Sequence, residues 1–73
     1  MHKVNIGKCF RQAQAESGIS TLKVAKDFGV FRQQVQRWRD AEDMHIHKIQ
    51  EFAKYFGYSL EDFLRLSNAE KVD

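Results

Sequence analysis

Residues 32–37, Arg-Gln-Gln-Val-Gln-Arg, are the densest set of side chains able to do chemistry in this 73-residue chain. Arginine presents a rigid fork of donors, and glutamine a donor and an acceptor on one amide. Each suits a base edge: Arg can grip O6 and N7 of guanine, and Gln can grip N6 and N7 of adenine. At about 100° per helical residue, Phe31, Val35 and Trp38 share one face and are expected to be buried. Gln33 and Arg37 then point almost directly away from that face. Arg32 and Gln36 flank them, and Gln34 lies to the other side, where a solvated side chain is the simpler reading. No carboxylate occurs between Asp27 and Asp40.

Polar residues opposite an apolar stripe are the default for any amphipathic helix. The frame around Gln33 and Arg37 lifts them above that default. It is the segment 21–40, TLKVAKDFGVFRQQVQRWRD. Two short helices pack at a steep angle only where the first is thin, and Ala25 is thin. Gly29, four residues on, can take the positive φ that a tight turn requires. Val24, Val30, Val35 and Trp38 supply the apolar positions between the helices. Ala, three residues, Gly, five residues, Val is the spacing of a helix-turn-helix, whose second helix enters the DNA major groove.

The remaining elements must hold this pair in place. The chain has no proline and no strand-like alternation, and its four glycines fall where helices would end, so it reads as all-α. A first helix is expected over 4–17, with Ile6, Cys9, Phe10 and Ala13 inward and Gly18 as a left-handed cap. Ser20 is the expected N-cap of a second helix over 21–28, with apolar positions Leu22, Val24, Ala25 and Phe28. The third covers 32–39. Residues 40–43 read as a loop or a fraying helix end. Ile46, Ile49, Phe52, Ala53 and Phe56 make the stripe of a fourth helix ending at Gly57. Ser59 and Asp62 resemble a capping box that opens a fifth, with Leu60, Phe63 and Leu64 inward. One domain over 1–66 and a fraying tail over 67–73 are expected.

In this order and spacing the chain resembles the lambda-repressor-like (Cro/C1-type, XRE-like) helix-turn-helix family. Two motifs carry the resemblance: the Ala25–Gly29–Val35 frame and the segment 52–64, FAKYFGYSLEDFL. Together with the five-helix layout they span 6–66. The resemblance implies a five-helix DNA-binding domain. It implies base contacts from Arg32, Gln33, Gln34 and Arg37, and Gln36, flanking the outward face, is a further base-contacting candidate. Ser20 and Thr21 at the start of the second helix, and His45, His47 and Lys48 entering the fourth, would lie against phosphates, with Lys23 and Arg39 at the edges. Ending soon after the fifth helix, the chain is most similar to short Cro-type phage regulators, without the separate domain of larger repressors. A homodimer on a palindromic operator in double-stranded DNA is the expected assembly, and promoter occlusion the expected mode of repression. Two departures stand out. Similar domains often carry Lys or Arg in the loop where this one has Asp40, Glu42 and Asp43. Phe31 occupies the N-cap position, usually Ser or Thr, and its angular position argues for packing beside Val35 rather than touching thymine methyls.

Composition agrees. The net charge of +2 divides into +6 over residues 1–39, eight bases against Glu16 and Asp27, and −4 from Asp40 onward, four bases against eight acids. The basic half suits a polyanion. A single cysteine, Cys9, rules out an internal disulfide, reads as a small core residue and suits a reducing compartment. Apolar runs of two or three residues leave nothing to span a bilayer or act as a signal peptide, so a cytoplasmic protein is expected. No carboxylate pair, nucleophile motif or phosphate-binding glycine loop points to an enzyme, a cofactor or a small-molecule ligand. His45 and His47, two apart on a helix, would diverge by about 200° and so could not grip one metal. Nine aromatics exceed the needs of one small core. Tyr55, Tyr58, Phe63 and Leu66 are the candidate dimer surface. An antitoxin or restriction-modification controller would share the same domain. A module binding another regulator through its C-terminal half is the alternative of a different class.

Overall fold

Cap chemistry decides where the helices begin and end. The computed structural model describes residues 4–68. It contains five helices, α1 (Ile6–Ser17), α2 (Thr21–Phe28), α3 (Arg32–Asp40), α4 (Ile46–Phe56) and α5 (Leu60–Arg65), closed by a 3-10 turn, Leu66–Asn68. There is no strand among the described residues. Asn5, Ser20, His45 and Ser59 each accept a backbone N–H of the helix they open. Gly18, Gly29 and Gly57 close α1, α2 and α4 with positive φ, the conformation a Cβ disfavours. The first helix starts at Ile6 rather than residue 4, because Asn5 is extended and caps the amide of Lys8.

The fourth glycine does something else. Gly7 lies in the first turn of α1, not at a helix end, and there the turn meets the loop after α3 backbone to backbone. Ile6 N–H donates to the carbonyl of Glu42 at 3.1 Å, and Gly7 N–H to that of Ala41 at 2.7 Å. A Cβ at Gly7 would collide with the carbonyl oxygens of Arg39 and Ala41. The acidic loop thereby supplies acceptors for free amides at the start of α1.

Behind these contacts lies one aromatic core. Phe10, Phe52 and Phe63 are fully buried with Val24, Val35 and Cys9. Phe10 meets Phe52 edge-on at 4.8 Å and Phe56 at 5.3 Å, while Trp38 lies 4.9 Å from Phe52 and 5.4 Å from Phe28. Most of the aromatic excess is therefore absorbed inside the fold. Trp38 takes the core role expected of it. Two tyrosines, one on α4 and one in the turn after it, tie separate segments together at the margin. The Tyr55 hydroxyl donates to Asp27 at 2.6 Å, and that of Tyr58 to Glu16 at 2.7 Å. Burial of Tyr55, reinforced by the Asp27 bond, pushes its pKa up to about 12.

Two stripe residues depart from expectation. Ile46 is 46% exposed, since side chains lean toward the helix N-terminus and the first residue leans past the packed turn. Leu22 is 63% exposed because it lies well off the face shared by Val24, Ala25 and Phe28. Toward the C-terminus, Ser67 is buried in the 3-10 turn, which packs on α1, and its hydroxyl donates to the carbonyl of Leu64 at 3.2 Å. The rest of the expected tail, 69–73, lies outside the described residues. Cys9 sits in the same region, with Sγ donating to the Leu64 carbonyl. Burial pushes its thiol up despite hydrogen bonds from Ser67 that oppose the shift.

Candidate nucleic-acid interface

Val35 and Trp38 anchor α3 from one side, and this turns the opposite side outward. Arg32, Gln33, Gln36 and Arg37 are all exposed, and Gln34 is half-buried. Between α2 and α3 an open depression brings Thr21 and Leu22 beside Arg32, Gln33 and Gln36. A second sets Gln33, Gln34 and Arg37 around Phe31. The five residues expected to contact bases thus share one surface, continued at one edge by the first turn of α2. Gln36 is partly engaged already, its amide donating to Asp40 at 3.5 Å.

Phe31 reverses its expectation. It is not packed beside Val35 but stands 84% exposed at the start of α3, giving no side-chain cap. The N-cap residue is not helical, with φ −80° and ψ 157°, so the 100° rotation that would align it with Val35 does not apply.

The residues expected at phosphates are held in different ways. Ser20 Oγ accepts the amide of Lys23, and Thr21 Oγ1 accepts the side-chain amide of Gln14 at 3.0 Å. Each hydroxyl keeps its own proton to donate. Lys23 pairs with Asp27 at 3.0 Å across one turn, an exposed, solvent-screened pair that is easily exchanged. That pairing and the Tyr55 bond hold the Asp27 carboxyl below the usual range, the tyrosine contributing most. Arg39, half-buried, donates to Gln14, and its backbone carbonyl accepts from Arg11. Four residues after Val35, Arg39 shares the inward side of α3, a signal present in the sequence. Lys48 lies with its ammonium 5.2 Å from the Trp38 ring and pairs with Glu51 at 3.1 Å. His45 and His47 are exposed.

The histidine rings lie 4.8 Å apart, closer than two residues on a helix would be, because His45 is the extended N-cap and its Nδ1 accepts the amide of His47. Among the described residues no three His, Cys, Asp or Glu side chains gather where they could hold a metal. No described helix is long and apolar enough to cross a membrane.

The dimer surface needs correcting. Phe63 is fully buried and Leu66 nearly so, because α5 and the 3-10 turn after it both pack onto α1. They belong to the core of one copy. Tyr55 and Tyr58 are half-buried, with their hydroxyls committed to Asp27 and Glu16.

Sequence reasoning missed Gln14. This nearly buried side chain bridges the first residue of α2 and the last turn of α3, donating to Thr21 and accepting from Arg39. It therefore fixes how the two halves of the exposed surface sit together. A glutamine beside the apolar Phe10 and Ala13 of α1 was the available signal. Comparison with family models, curated proteins and solved structures finds no match to this chain.

Proposed function

We propose that the protein is a sequence-specific double-stranded DNA-binding regulator of the Cro/C1 helix-turn-helix type, a repressor that occludes the promoter it binds, with α3 as the helix that enters the major groove. The outward face of α3 carries the reading: two arginines and two glutamines exposed side by side, with no acid among them before Asp40. Those side chains match guanine and adenine edges in the major groove. Thr21 and the amides at the start of α2 adjoin them, where a helix N-terminus favours a phosphate. The buried Ala25, the left-handed Gly29 and the buried Val35 support the same reading.

Two copies on a two-fold site would set their recognition helices one DNA turn, about 34 Å, apart. Contact between copies then falls outside Phe63 and Leu66. Selection of bound duplexes from a random library tests the reading. A shared site, repeated in inverted halves about 10 base pairs apart, is expected. An undivided site would overturn the two-copy arrangement, and no enrichment would overturn DNA reading itself. Affinity should also fall with salt, since phosphate contacts release counterions.

A further inference from the structure

The start of α3 is built against local rules. Four helices open on a side chain that accepts one of their own amides, whereas α3 opens on a phenylalanine that accepts none. That ring is also the most exposed large apolar side chain among the described residues, and the next is Leu22, on the neighbouring helix. The two border one depression, floored by Ala25 and Val30 and rimmed by Lys26, Arg32 and Gln33. On its other side, Phe31 borders the depression formed with Gln33, Gln34 and Arg37. Neither lining contains a carboxylate.

An apolar spot ringed by cations and amides fits an apolar group carried on a polyanion. In the major groove of DNA the bases present one such group, the 5-methyl of thymine. The first residues of a recognition helix are the ones that approach base edges. We propose that Phe31, with Leu22 beside it, packs against a thymine methyl in the site α3 reads, which makes Phe31 a specificity-determining residue. The inference rests on the DNA reading above and adds to it a base preference that the arginines and glutamines do not supply. It also gives a reason for the missing cap: a serine there would complete the helix and leave the methyl without a partner.

The test uses duplexes carrying the site recovered from the random library, with each thymine replaced singly by deoxyuridine, which lacks only the methyl. The unaltered protein should bind about three- to fivefold more weakly at one position in each half-site, the effect of uncovering one methyl group. Phe31→Ala should bind the thymine and uracil duplexes equally, and Leu22→Ala should narrow the ratio. Because Phe31 is so exposed, the alanine variant should keep its helical circular dichroism; Phe31→Leu, which stays apolar, should keep part of the discrimination. Equal binding by the unaltered protein to every uracil duplex would overturn the inference while leaving DNA reading intact, and is also the result expected if this patch docks a protein. An unchanged thymine-to-uracil ratio in Phe31→Ala would overturn it too. If the library yields no site, DNA reading fails and the inference fails with it.

Discussion

α2 and α3 are neighbours of eight and nine residues joined through Gly29, yet they begin in opposite ways. Ser20 completes α2 by accepting the amide of Lys23, while Phe31 leaves α3 without a side-chain cap and holds its ring in water. The same division runs through the molecule. The side formed by α1, α4 and α5 satisfies itself: amides at the start of α1 find loop carbonyls, tyrosine hydroxyls find carboxylates, and rings find rings. The outward side of α3 leaves arginines, glutamines and an aromatic ring exposed. On the first side the residues serve the fold, and the uncapped, exposed start of α3 is where the proposed contact with DNA falls.

Substitutions can break this contrast from either side. The largest effect is expected on the self-satisfied side. Gly7→Ala would drive a methyl into the carbonyls of Arg39 and Ala41, which are backbone and cannot rotate away. A loss of about 3 kcal/mol, the upper end of ordinary overpacking, should appear in urea denaturation. A near-neutral result would mean that the loop is free to retreat from α1.

On the other side the sign should reverse. Phe31→Ser gives α3 the oxygen it lacks and removes an exposed ring, so stability should rise by about 1 kcal/mol. The melting temperature would then increase by about 4–8 °C for a domain of this size. A lower melting temperature would show that the ring packs against the fold after all.

The smallest effect concerns pH. Tyr55 has a folded pKa of about 12, above the ordinary value of 10, through burial and its bond to Asp27. Its contribution to stability is complete below pH 10 and is lost as pH rises through about 12. Unfolding temperature should therefore fall more steeply across that window in the unaltered protein than in Tyr55→Phe, and parallel profiles would remove the tyrosine from the account.

Features set by near neighbours were readable in the sequence. Ser20 and Gly29 bound α2 as expected, and Gly57 and Ser59 mark the turn from α4 to α5, because capping needs only residues within one helical turn. The outward face of α3 was readable for the same reason: Val35 and Trp38 fix its rotation. What escaped depends on distant chain segments. Gly7 resembles any glycine until the loop after α3 closes on it, and Gln14 gains its meaning only when Thr21 and Arg39 arrive on either side. Phe63 is already inward in the pattern of the fifth helix, whereas the burial of Leu66 depends on a 3-10 turn that nothing local reveals. Phe31 was misplaced by carrying helical rotation one residue past the helix start.

If the outward face of α3 reads bases as proposed, Arg37 should be among the residues that do so. It is exposed on that face and lines the depression beside Phe31, Gln33 and Gln34. Binding of Arg37→Ala should be measured at one salt concentration on the library-selected site and on a random duplex. A bidentate contact to guanine predicts a loss of about 1–3 kcal/mol on the selected site, relaxed preference at one base pair, and little change on random DNA. Equal losses on both duplexes would mean that Arg37 touches only phosphate, and would contradict the account.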